Sequence, residues 1–167
     1  TQTSNLTSAN LRALTSNQVI ALTTAQVAGL STGQVQSLLT TQIQAIAVDD
    51  LLAMKTSQIA ALTTTQIRAL TTDQAYALTT VQTGALTTAQ TAALTTTQSA
   101  AMQASALYAL QYAAAGMSSS AVAALSADQF AQLSTLQVSA LTTDIVAALA
   151  NDKVTAMTTV RTSPLGW

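Results

Sequence analysis

The sequence predicts an all-α solenoid, a superhelix of short capped helices with one helix per eight-residue repeat. Three features predict it: a large apolar residue every eight positions, a Ser/Thr-x-x-Gln pattern behind it, and a small residue, usually Ala, closing the unit. The anchors run Leu6, Leu14, Leu22, Leu30, Leu38, Ile46, Met54, Leu62, Leu70, Leu78, Leu86, Leu94, Met102 and Leu110. One residue is then missing, and the count resumes at Met117 and continues through Leu125, Leu133, Leu141, Leu149, Met157 and Leu165. Chance does not produce 21 anchors with one break in phase, and a fixed period marks a repeat architecture.

Four residues past the anchor sits Gln, as at Gln18, Gln26, Gln34, Gln42, Gln58, Gln66, Gln74, Gln82, Gln90, Gln98, Gln129 and Gln137. A Ser or Thr followed three residues later by Gln is a capping box. The hydroxyl accepts from a free N–H in the first turn, and the Gln side chain reaches back to the N–H of the cap residue. The anchor before the cap and a second apolar group five past the anchor, such as Val27 or Ile67, form a hydrophobic staple. The octad Leu22–Gly29 fills every slot, so each octad starts a helix of its own.

An unbroken helix fails on arithmetic. Eight residues at 3.6 per turn rotate the anchor by about 80° per repeat, winding the apolar stripe round the whole circumference. Adjacent Thr pairs are also poor helix interior. Helices of five or six residues are too short to stand alone, and each cap contributes only ~1 kcal/mol. Stability must therefore come from stacking octad on octad. The predicted core anchors include Leu22, Leu30, Leu62, Leu70, Leu78, Leu86, Leu94, Leu125 and Leu141, and the predicted capping glutamines include Gln26, Gln34, Gln58, Gln66, Gln74, Gln82, Gln90 and Gln98. A β-solenoid is the alternative, since Thr, Val and Ile favour strands. The scarcity of Gly and Asn for turns and the abundance of Ala favour helix. On the helical reading Leu62→Ala is costly, Thr65→Ala nearly free, and Gln66→Ala intermediate.

The pattern divides the chain into a leader over residues 1–5, an octad array over 6–98, a longer Ala-rich helix over 99–116, a second array over 117–164, and a tail over 165–167. Gly116 is placed to end the longer helix, with Ser118, Ser119 and Ser120 offering the next caps. Leu39, Ala47, Lys55 and Ala150 occupy the first Thr slot of their octads, which points to the following residue as the cap there. In the octad Ile46–Ala53, Asp49 is placed to cap. Asp49 and Asp50 are read as helix-terminal charge rather than a cation site, because no further oxygen ligands accompany them. The second apolar slot thins to Ala75, Thr83, Thr91 and Ser99, marking either looser packing or a face covered by a neighbouring chain. Pro164 closes the pattern, and Trp167 is placed either to seal the core or to anchor a partner.

Apolar residues make up 49% of the 167, enough for a core, whereas charged residues are 7% against roughly 25% in ordinary proteins. A surface of Thr, Ser, Gln and Asn lacks charge repulsion, which makes association easy. The net charge of −1 and scattered basic residues exclude a nucleic-acid partner and an anionic membrane. Gln103, Ser105 and Gln111 interrupt the most apolar stretch, Ala100–Met117, which reads as a soluble helix and not a transmembrane segment. There is no His, Cys or Glu. The usual general bases, thiol nucleophiles and metal ligands are therefore missing, the lysines Lys55 and Lys153 read as solvated side chains, and no phosphate-binding glycine loop is present. The expectation is a non-enzyme with no catalytic, cofactor or metal residues.

The unit resembles the Leu-Thr-Thr-x-Gln octad arrays of large bacterial surface and secreted proteins, and the likeness extends over most of the chain. It implies an extracellular or cell-surface structural role. Leu22–Val27 also looks locally like the opening of DNA-binding TAL-effector repeats, but those are several times longer and their base-reading loop has no counterpart here. The expected function is a subunit or segment of a bacterial filament, sheath or matrix, with the chain itself as partner. An adhesin stalk that binds a glycan or surface is the alternative, with Tyr76, Tyr108 and Tyr112 as the aromatic candidates. An ice-binding array of Thr rows comes last.

Overall fold

The computed structural model describes residues 5–110, 117–139, 141–147, 149–151 and 153–155. These contain seventeen short helices and no strand, which removes the β-solenoid. In order they are α1 (Ser8–Arg12), α2 (Ser16–Ile20), α3 (Thr24–Ala28), α4 (Thr32–Ser37), α5 (Thr40–Ala45), α6 (Val48–Leu52), α7 (Thr56–Ala61), α8 (Thr64–Ala69) and α9 (Thr72–Ala77). They continue as α10 (Thr80–Gly84), α11 (Thr88–Ala93), α12 (Thr96–Ala101), α13 (Ala104–Ala109), α14 (Ser119–Ala124), α15 (Ala127–Ala131), α16 (Thr135–Ser139) and α17 (Thr143–Ala147).

Nine of the helices start on the full Ser/Thr–Gln capping box that the octad grammar requires. In α8, Thr63 is the N-cap in extended conformation. Its hydroxyl accepts from the Gln66 N–H at 3.1 Å, and Gln66 Oε1 accepts from the Thr63 N–H at 2.9 Å. The helix stops when the next anchor turns extended, as Leu70 does at φ −54°, ψ 138°, and the following cap Thr71 is extended as well at φ −70°, ψ 164°. These extended anchor–cap pairs turn the chain from one helix into the next with ordinary negative φ values. That is why the corners need no glycine.

Each helix stacks on the one three places later: α1 on α4, α2 on α5, α3 on α6, and so on to α9 on α12. Three octads, 24 residues, therefore make one coil of the superhelix. Anchors and second apolar groups line its interior. From Leu30 to Leu133 the described anchors are all buried, as are Val19, Val27, Val35, Ile43, Ile59 and Ile67. Leu6, Leu14 and Leu22 at one end and Leu141 and Leu149 at the other are only partly buried. An anchor with one neighbouring coil is covered on one side.

Several local expectations are corrected. The longer helix expected over 99–116 is, over 99–110, the end of α12 and the separate helix α13, parted at Met102 and Gln103. Residues 111–116, with Gly116, lie outside the described residues, as do Tyr112, Pro164 and Trp167. Leu39, Ala47 and Lys55 are themselves the N-caps in extended conformation, so the cap does not move to the next residue. At Leu39 and Lys55 the Gln arm of the box still holds, through Leu39 N–H to Gln42 Oε1 at 2.9 Å and Lys55 N–H to Gln58 Oε1 at 2.7 Å. Asp49 does not cap, since α6 has no side-chain cap bond. Ala75, Thr83, Thr91 and Ser99 are all 0% exposed, so no neighbouring chain covers them. The Thr83 and Thr91 hydroxyls donate to the carbonyls of Thr79 and Thr87. Ser99 Oγ is buried without a hydrogen bond.

Candidate functional site

The chemically distinctive feature of the coil is a ladder of buried glutamines. In the capping box the carboxamide uses only its oxygen, leaving the Nε2 hydrogens to be placed. At eight octads of the first array that nitrogen crosses to the preceding coil, Gln34 donating to Leu6 O, 28 residues back, at 2.7 Å. Gln42, Gln58, Gln66, Gln74, Gln82, Gln90 and Gln98 each donate to the carbonyls 31 and 28 residues earlier, at 2.7–3.1 Å. For Gln66 these are Val35 O at 2.9 Å and Leu38 O at 2.8 Å. They belong to the C-terminal end of α4 and its corner, where carbonyls have no partner within the helix. One side chain thus closes the N-terminus of its own helix and the C-terminus of a helix in the coil below.

The orientation of each amide is dictated by its surroundings. Oε1 faces an N–H and Nε2 faces carbonyls; the reverse would set like against like. All eight residues are buried, Gln42, Gln58 and Gln74 to 1% exposure. In the low dielectric of the seam these bonds are strong and costly to lose.

The ladder survives the phase break. Gln129 donates to Met102 O, 27 residues back, and Gln137 to Leu107 O, 30 residues back. Each spacing is one less than its counterpart in the first array, and the difference is the residue missing before Met117. Correspondingly, α12 packs on α14. At Lys153 an ammonium takes the place of the amide and donates to Ala123 O. Lys153 is buried, which corrects the solvated reading, whereas Lys55 is exposed.

Among the predicted capping residues, Gln34, Gln58, Gln66, Gln74, Gln82, Gln90 and Gln98 lie in the ladder. Gln26, in the first coil, is only half-buried. Of the predicted anchors, Leu30, Leu62, Leu70, Leu78, Leu86, Leu94 and Leu125 are buried, and Leu22 and Leu141 are partly so. On the outside, α8 and α11 leave a shallow groove of about 390 Å³ lined by Thr64, Thr65, Arg68, Ala89, Ala92 and Ala93. It holds one cation and no carboxylate. Among the described residues no three His, Cys, Asp or Glu side chains come together, and no helix is long and apolar enough to cross a membrane.

The family model for the ALTTAQ repeat matches residues 4–32 and 43–80. Over these two segments the chain is similar to the ALTTAQ repeat family. The hexapeptide itself stands at Ala21–Gln26, within a matched segment, and again at Ala85–Gln90, beyond both. The ALTTAQ octad is therefore one side of a three-sided coil, and its Gln is the residue that joins coils. No curated protein and no solved structure matches the chain.

Proposed function

We propose that this octad-repeat protein is a non-enzymatic structural element, a subunit or segment of a bacterial extracellular filament, sheath or matrix assembled by stacking coils. One observation carries the reading: the bond between coils is the same at successive steps and has a direction. Amide donors point toward the N-terminal coil, and carbonyl acceptors await them on its C-terminal side. A contact of this kind propagates. Where one array meets another, donors face acceptors only head to tail, and heterologous head-to-tail contacts give open fibres instead of closed dimers. The exposed positions are mostly uncharged Thr, Ser and Ala, which supports close association.

Negative-stain microscopy and light scattering over a concentration series test this reading. Elongated particles that lengthen with concentration support it, and a clean monomer at high concentration overturns it. An adhesin stalk is the second reading, favoured by two tyrosines that stand out from the coil, Tyr76 at 58% and Tyr108 at 55% exposure. Glycan-array binding that is lost in Tyr76→Ala and Tyr108→Ala would select it.

A further inference from the structure

We propose that the groove between α8 and α11 docks a second copy of this chain, receiving Tyr76 of that copy while Asp73 of that copy pairs with Arg68. The three-sided coil sorts charge, because it deals successive octads to different sides. Over residues 6–109, the side built from α3, α6, α9 and α12 has Asp49, Asp50 and Asp73 and no base. Asp50 is buried in the ladder slot, 28 residues after Leu22, whereas Asp49 and Asp73 are exposed. The side built from α2, α5, α8 and α11 has Arg68 and no acid, and Arg12 and Lys55 belong to the third side. One side is therefore acidic and its neighbour basic, so two copies set unlike charges against each other only when different sides meet.

Shape agrees with charge. Tyr76 is 58% exposed and follows Asp73 by three residues, which makes the two neighbours on the surface of α9. Leu52, 24 residues earlier on the same side, is exposed as well and extends the apolar strip by one coil. On α11, Ala89 and Ala92 are small, and they leave the groove of about 390 Å³ open beside Arg68. It takes an aromatic ring seated on the alanines, with the guanidinium between ring and carboxylate and the Thr64 and Thr65 hydroxyls for the phenol. Within the chain, the side chains of Arg68, Asp73 and Tyr76 form no hydrogen bond or ion pair with any described residue. Helices α8 and α9 belong to different sides, and Tyr76 does not line its own chain's groove. Tyr108 is also exposed, but α13 has Ser105 where α9 has Asp73, so it offers Arg68 no carboxylate. Tyr and Arg are among the residue types that most often anchor protein contacts. The knob and the groove are different surfaces of one copy, so the contact is heterologous and repeats sideways.

This contact is separate from end-to-end stacking: it widens an assembly, and stacking lengthens it. The full chain is tested by sedimentation and negative-stain microscopy over a concentration series. Wild-type particles are predicted to widen with concentration, and Tyr76→Ala, Arg68→Glu and Asp73→Arg each to weaken that association at least about tenfold. Tyr108→Ala should leave it unchanged. Circular dichroism checks that each variant keeps its helices. Mixing Arg68→Glu with Asp73→Arg should restore association, because the reversed charges match again across the contact, and a loss of fold could not give that recovery. Particles that lengthen without widening overturn the proposal and leave the end-to-end reading standing; particles that widen without lengthening do the opposite, and a clean monomer overturns both. Widening that persists in Tyr76→Ala, or a mixture that stays apart, also overturns the proposal.

Discussion

Changing Gln66 separates the two jobs of the ladder residue. Gln66→Ala removes the acceptor for the Thr63 N–H and the donor to Leu38 O; Leu38 is buried and Thr63 exposed, and Val35 O keeps its bond from Leu38 N–H at 3.2 Å. One buried orphaned carbonyl at about 1–3 kcal/mol and a lost capping arm at about 1 kcal/mol give a loss of about 2–4 kcal/mol. That places Gln66→Ala beside Leu62→Ala rather than between Leu62→Ala and Thr65→Ala, as the sequence alone suggested. Gln66→Glu is the sharper probe, because it keeps the acceptor for the Thr63 N–H and loses only the inter-coil donor. It also sets a buried carboxylate against two carbonyls, at a cost of about 3–5 kcal/mol. Denaturant melts give the total. Repeat arrays open locally, so amide hydrogen exchange around Leu38, Thr63 and Gln66 shows where the loss falls. If Gln66→Glu costs no more than the ~1 kcal/mol of a lost cap, the bridge between coils contributes nothing and the reasoning fails.

Leu62→Ala should cost about 2–5 kcal/mol through lost transfer energy and a cavity, while Thr65→Ala, on the exposed side of the same octad, should stay within about 0.5 kcal/mol in the same melts. Asp50→Gln should raise stability by about 1–3 kcal/mol by giving Leu22 O a donor; a loss of stability would contradict the register of the ladder. Ser99→Ala should raise stability by about 1 kcal/mol, because it removes a buried hydroxyl that has no hydrogen bond. Thr91→Ala, which removes a hydroxyl bonded to Thr87 O, should not gain in the same way.

The repeat was legible because helix starts are local chemistry. Cap, Gln and staple all lie within six residues, so one octad such as Leu22–Gly29 contains the whole instruction for its helix. Stacking is not local. The spacing of 28 and 31 residues between Gln66 and its acceptors exceeds the octad, and nothing within one unit states how many units close a coil. One signal was nevertheless present. A capping box accepts Glu as readily as Gln, yet the chain contains no Glu at all. Glu can accept from the cap N–H but cannot donate across the seam, so its absence marks a slot that needs a donor. The buried Lys153, a donor in that slot, fits the same rule.

The misread segments have a common cause. Ala-rich sequence over 99–110 carries high helix propensity, and propensity alone extends a helix through Met102. The stack imposes the octad corner there instead, with Met102 extended and buried. Ala75, Thr83, Thr91 and Ser99 read as looser packing or a face covered by a neighbouring chain because they are small or polar. They sit in the core because position in the octad, rather than polarity, decides which way a side chain points.

Proximity between residues 24 apart tests the three-octad coil most directly. The chain has no cysteine, so a Thr65→Cys, Ala89→Cys pair can carry two spin labels without interference. Both positions line the groove between α8 and α11. Stacked helices lie about 8–10 Å apart, so dipolar broadening typical of labels within about 20 Å is the predicted result. A continuous helix would separate the pair by about 36 Å, and spectra without broadening would contradict the coil.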